Sequence, residues 1–193
     1  MKFTVEDIKD INSELLNIKV HCNKHIVLDP YLINNLVDDR PRKKYDFDIY
    51  LPKYGINLQR PYVWKDYQQS EYIISILQER PLENVIVIQH ETTEGKITMQ
   101  ILDGKQRLTT IQKFLLGEIP VTINIKKVWW DDFDEQAKRH FKSRLSSITA
   151  VVYYTYDDDN LTDDDKIRLF NFYNFSGTPQ TEEHKNTLKK LLK

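Results

Sequence analysis

One short turn, Asp103-Gly104-Lys105-Gln106-Arg107, brings together a carboxylate, a glycine, two cations and an amide. It stands between an apolar run and a segment of helical period. A helix start presents unpaired N–H groups and the positive end of the helix dipole, which together favour an anion. Gly104 lets the backbone approach a ligand closely. Lys105 and Arg107 add positive charge, and Gln106 adds a neutral donor and acceptor. Asp103 is placed to hold a metal ion, orient a water or accept a hydroxyl hydrogen. This composition suits a phosphate with a carboxylate beside it. The same residues also allow a purely structural arrangement, in which Asp103 caps the helix and both cations are solvated. No glycine-x4-glycine-lysine pattern occurs, so the turn is not a Walker loop.

Two further segments have the right chemistry for a neighbouring role. In Gln59-Arg60-Pro61-Tyr62-Val63-Trp64, Arg60 offers a planar fork for phosphate or carboxylate, and Tyr62 and Trp64 offer faces on which a base can stack. The bland alternative makes Trp64 ordinary core and Arg60 a structural ion pair. In Asn174-Phe175-Ser176-Gly177-Thr178-Pro179, glycine followed by Thr-Pro makes a tight turn, whose polar groups, Asn174 and Thr178 among them, can reach an adjacent site or simply reverse the chain.

The elements that must position these residues are legible in the period of the apolar residues. Thr4 begins a first helix through Ile8, Ile11 and Leu15. From about His21 to Gly55 there is no steady period, which predicts loop with short pieces of strand. Pro61 holds Arg60 extended, so residues 56–64 read as a strand end leading into a helix through Tyr72, Ile73, Ile76 and Leu77. Val85–Ile88 and Ile97–Leu102 are strand-like, with a turn at Glu94-Gly95. Leu108, Ile111 and Leu115 define the helix after the central turn, stopped by Gly117. Val121, Ile123 and Ile125 alternate as a strand. Phe133, Ala137, Phe141 and Leu145 mark a helix, followed by a strand from Ile148 to Tyr154. Thr162 opens an acidic helix through Ile167, Phe170 and Tyr173, and a closing helix follows Thr181. The expected fold is α+β, as a single domain over 1–193.

Composition bounds the function. With 40% hydrophobic and 30% charged residues, the chain is globular rather than disordered. Lys plus Arg (28) nearly cancels Asp plus Glu (29), so any contact with nucleic acid must use a local patch. Cys22 stands alone, which excludes a disulfide framework and a cysteine zinc site. No signal pattern and no membrane-spanning apolar run is present, so the expected location is the cytoplasm. Having only two alanines, Ala137 and Ala150, points to an AT-rich bacterial or phage genome.

The order and spacing of the three chemical segments resemble the N-terminal domain of GmrSD-type restriction endonucleases, described as ParB/sulfiredoxin-like in fold. In that family an arginine-proline-aromatic-x-tryptophan segment precedes a helix and a hairpin. An Asp-Gly-Gln-Gln-Arg motif then opens a helix, and an Asn-x-x-Gly-Thr-Pro turn comes much later. The likeness covers about residues 50–185 and rests on Gln59 to Trp64, Ile101 to Ile111 and Asn174 to Pro179. Lys105 stands where the family more often has glutamine.

The resemblance implies a mixed sheet with surrounding helices that handles a nucleotide or a DNA phosphate in restriction or phage defence. It also implies hydrolysis of a nucleoside triphosphate, with Mg²⁺, that regulates DNA cleavage. Asp103, Gln106 and Arg107 map onto the family motif as catalytic candidates, with Asp103 the candidate metal ligand. Arg60 and Asn174 map onto its flanking positions, where they join Gly104, Lys105 and Thr178 as phosphate-binding candidates. DNA is the implied partner. The five histidines form no HNH-type nuclease motif. Either a separate nuclease subunit or host defence protein completes the system, or the domain acts alone, as a nuclease or as a non-catalytic phage or plasmid protein binding DNA or protein.

Other signals carry less. His21 and His25 have a spacing that suits a metal only on a helix. The acidic runs Asp157–Asp159 and Asp163–Asp165 lack the glycine and glutamate of a calcium loop and read as solvated loop and helix start. The basic run Arg40–Lys44 reads as solvated surface or a nucleic-acid contact, and Trp129-Trp130 as core edge or partner surface.

Overall fold

The computed structural model describes residues 21–27, 43–91, 97–154, 161–175 and 190. The expected first helix, the Glu94-Gly95 turn, the Asp157–Asp159 run, the Ser176–Pro179 turn with Thr178 and the closing helix lie outside the described residues.

Five strands form one mixed sheet: β1 (His21–Val27), β2 (Lys43–Asp46), β5 (Val85–Glu91), β6 (Ile97–Asp103) and β9 (Thr149–Tyr154), in the order β1-β9-β5-β6-β2. The β5–β6 and β1–β9 pairs are antiparallel, whereas β5–β9 and β2–β6 are parallel. Two small ribbons stand outside the sheet, β3 (Tyr50–Leu51) with β4 (Ile56–Asn57) and β7 (Val121–Ile123) with β8 (Lys126–Val128). The described helices are α1 (Asp66–Leu77), α2 (Lys105–Leu115), α3 (Glu135–Leu145) and α4 (Asp163–Phe175). The α+β class expected from the period of the apolar residues is the one formed.

Both faces of the sheet are covered because its central strands are apolar on both faces. Val85, Val87, Met99, Ile101, Ala150 and Val152 face a core with Ile73 and Ile76 of α1, Leu108, Ile111 and Phe114 of α2, and Phe141 and Leu145 of α3. Ile86, Ile88 and Leu102, one residue out of phase, face a second core with Ile49, Leu51, Leu58 and Ile167 and Phe170 of α4. Burial of each Val, Leu, Ile, Met or Phe side chain among these contributes roughly 1.5–3 kcal/mol relative to exposure.

Local signals set the helix ends. Gly117, at φ 68°, closes α2 with Gly117 N–H donating to Phe114 O and Glu118 N–H to Lys113 O, a left-handed termination that glycine adopts without steric cost. Asp134 caps α3 by accepting from Ala137 N–H at 2.7 Å. Thr162 accepts from Asp165 N–H at the start of α4.

One expectation is corrected. The strand predicted through Ile125 stops at Ile123, because Asn124 and Ile125 take φ 47° and 63° and turn the chain. His21 and His25 lie on β1, one of the short pieces of strand expected in this stretch, where their spacing is not the helical one that suits a metal.

Candidate functional site

The central turn falls where β6 ends and α2 begins. Gly104 takes φ 107°, a backbone that side chains rarely adopt. A Cβ built there would meet both γ-methyls of Val85 at 3.1 Å. Glycine is required on both counts. No side chain caps α2, so its first turn is left to face the cleft that opens beside it. The cleft has a volume of about 370 Å³ and is lined by Asp103 to Arg107, by Gln59, Arg60 and Trp64, and by Tyr173 and Asn174 of α4. Glu83, Asn84 and Ile86 close it from the start of β5. Segments more than a hundred residues apart in sequence thus share one wall.

Within the motif, most polar groups act inward. Gln106 is buried, and its Oε1 accepts from Val63 N–H at 2.9 Å and Trp64 N–H at 3.3 Å while its Nε2 donates to Pro61 O at 3.0 Å. One amide therefore holds the whole segment that carries Arg60 and Trp64. Gln59 does the same from the other side, its Nε2 donating to Ile101 O and Leu102 O at 2.7 and 2.6 Å. Arg107, 7% exposed, donates to Glu83 O at 2.7 Å, Asn84 O at 3.0 Å and Asp103 Oδ2 at 2.8 Å. Lys105, 8% exposed, donates to Asp48 Oδ1 at 2.6 Å. Charge-assisted bonds of this kind are the stronger ones, and burial raises the cost of losing a partner.

Both cations of the motif are thereby engaged. Among the described residues lining the cleft, Arg60 is the one cation without an ion pair, and it is exposed. Asp103 has one oxygen committed to Arg107 and is half-buried. Among the described residues no three His, Cys, Asp or Glu side chains gather as a metal site.

Behind the wall, Trp64 packs edge-on against Tyr72 with centroids 5.4 Å apart. Burial pushes the Tyr72 phenol up to about 12; the nearby Arg107 charge pulls it down and Glu83 pushes it further up. Its hydroxyl is buried with no hydrogen-bond partner among the described residues. Tyr62 does not line the cleft, since its hydroxyl bonds Thr110 Oγ1 at 2.9 Å and its ring lies under Lys113. The structure therefore brings together Arg60, Trp64, Asp103, Gly104, Lys105, Gln106, Arg107 and Asn174 and leaves Tyr62 outside the cleft lining, bonded to Thr110.

Sequence reading missed Glu83, Asn84, Ile86, Tyr173 and Asp48. Tyr173 was accessible as the neighbour of Asn174 on one helix. Glu83 and Asn84 meet Arg107 chiefly through backbone carbonyls, which every residue has, with the Glu83 carboxylate adding a longer ion pair at 3.6 Å, so residue type gave little signal of their role.

A helix start, a carboxylate and an arginine with no ion pair among the described residues thus border one cleft of an α+β fold, and such groups can receive an anion. Residues 33–192 match the family model described as the GmrSD restriction endonuclease N-terminal domain. The chain belongs to this family, which is associated with DNA restriction. No curated protein and no solved structure matches it. No helix among the described residues is long and apolar enough to cross a membrane.

Proposed function

We propose that the cleft binds the phosphates of a nucleoside triphosphate, and that its hydrolysis regulates DNA cleavage by a restriction system. The observation that supports this is the convergence of Arg60, Asp103-Gly104 and Asn174 at the uncapped start of α2. The amides of that first turn and the Arg60 fork would receive the phosphate, and Trp64 would border the base. Asp103 would orient the attacking water with the oxygen that Arg107 does not hold. Gln106, Lys105 and Arg107 are positioning residues in this reading, because their groups already bind protein. Mg²⁺ fits as an ion carried in on the phosphates and met by Asp103, where it would offset triphosphate charge; Mg²⁺ commonly binds through one or two carboxylates plus phosphate oxygens.

A second reading makes the phosphate a DNA diester. It is favoured by the charge inventory: with Lys105 on Asp48 and Arg107 on Asp103, the free positive charge at the cleft suits a singly charged group. A non-catalytic scaffold is the third.

The test is phosphate release by the purified protein with Mg²⁺ and each of the four ribonucleotides, with and without duplex DNA, beside Asp103→Asn and Arg60→Ala. Asp103→Asn keeps an acceptor for Arg107 and so preserves the wall. Release that is lost in Asp103→Asn and shows a raised KM in Arg60→Ala is expected. No release from folded protein, with cleaved or bound DNA that depends on Arg60, would replace the first reading by the second. Binding that survives both substitutions would support the scaffold.

A further inference from the structure

The β7–β8 ribbon lies outside this cleft and carries two costs that its own folding does not explain. Its strands pair Val121 with Val128, Thr122 with Lys127 and Ile123 with Lys126, leaving Asn124-Ile125 as a two-residue turn with both φ values positive. Asparagine suits the first position of such a turn, and glycine is the usual second residue. Here the second residue is β-branched isoleucine at φ 63°, which sterics disfavour. Ile125 is also 97% exposed, so no burial offsets the strain. A strained backbone held at an exposed apolar turn residue is the observation that points to a contact made outside this chain.

The base of the ribbon is rigid. Val121 is fully buried, Ile123 and Val128 pack against the first core, and Thr122 N–H donates to the buried Ser70 Oγ of α1 at 3.0 Å. Directly after the tip, β8 opens with Lys126 and Lys127, both exposed and without an acidic partner among the described residues. The acidic pair Asp131-Asp132 follows the opposite end of the ribbon, beyond Val128. An apolar point next to two lysines that have no acidic partner among the described residues matches a polyanion with stacked, apolar steps beside its charged strands. Duplex DNA has that chemistry: proteins insert isoleucine, leucine or phenylalanine between base steps while basic side chains hold the flanking phosphates.

We propose that Ile125 is a wedge that enters a base step of duplex DNA, held there by Lys126 and Lys127. The ribbon would hold or deform DNA independently of what occupies the cleft.

The experiment uses the full chain and a duplex carrying 2-aminopurine at internal steps, with affinity read by anisotropy at several salt concentrations and unstacking read by fluorescence. Ile125→Gly relieves the backbone strain, so it is expected to melt higher, by about 2–4 °C, yet to bind roughly tenfold more weakly and lose the fluorescence rise. Lys126→Ala with Lys127→Ala is expected to lower the salt slope by about 2 while leaving the melting temperature unchanged. Wild-type affinity and wild-type unstacking in Ile125→Gly would overturn the proposal, as would DNA binding that depends on the lysines alone. Unaltered DNA binding with impaired association with another protein would assign the tip to protein docking instead. Because the ribbon contributes no residue to the cleft, loss of nucleotide hydrolysis in Asp103→Asn leaves this test unaffected.

Discussion

At the scale of single residues, the central motif works mostly by holding its neighbours. Gln106 and Gln59 each bridge segments more than forty residues apart, and Arg107 clamps the approach to β5. Gly104 is the point at which this arrangement is least tolerant. In Gly104→Ala the new methyl meets Val85 and the backbone keeps its positive φ, and the expected loss is about 2–4 kcal/mol in urea unfolding. Adding Val85→Ala makes room but leaves the strained φ, so it is expected to restore only part of that loss. Full restoration would mean that packing alone requires the glycine.

At the scale of elements, α4 is the piece whose docking depends on charge. Its acidic first turn is gripped by the β3–β4 ribbon: Lys53 N–H donates to Asp163, Lys53 Nζ to Asp164 at 2.8 Å, and Tyr54 OH also to Asp164. The hydrogen bonds from Lys53 and Tyr54 hold the Asp164 carboxyl below its ordinary value. One turn on, Lys166 is only 8% exposed. Burial lowers its pKa, and Asp163 and Asp46 push it partly back. The unfolded chain therefore binds this proton more readily than the folded one. Below the folded pKa the cost of burying the charge is present in full, and it is relieved as pH rises from there toward the ordinary 10.5. Lys166→Met is expected to raise the melting temperature at neutral pH, with a gain that shrinks toward pH 10.5. A gain independent of pH would assign the effect to packing.

At the scale of the molecule, the cleft is assembled where a strand–helix junction of one core meets a helix of the other, so its occupant should stabilise the whole domain. A ligand that binds only the folded state at a hundredfold excess over Kd adds about 2.7 kcal/mol. For a domain of this size that is a rise of roughly 5–10 °C, measurable in a thermal melt with nucleotide and Mg²⁺. Arg60→Ala should remove the shift. A shift that persists would place the ligand elsewhere.

The α+β class, the α2 helix with its glycine stop and the β5–β6 pair were all legible, because apolar period and glycine placement are local properties of the chain. The Asp103–Arg107 turn was legible as chemistry for the same reason. Residue type alone did not show which groups remain available. Lys105 and Arg107 read as phosphate cations until Asp48, Glu83, Asn84 and Asp103 are seen to engage them. Tyr62 read as a stacking ring until Thr110 is seen to hold it away from the cleft. The apolar alternation of Val121, Ile123 and Ile125 gave no warning that the last would stand in solvent at a strained turn. Period and composition record what a residue can do. Whether its charge is already paired, and whether its side chain faces core, cleft or water, depends on partners far away in sequence that only the packed fold brings together.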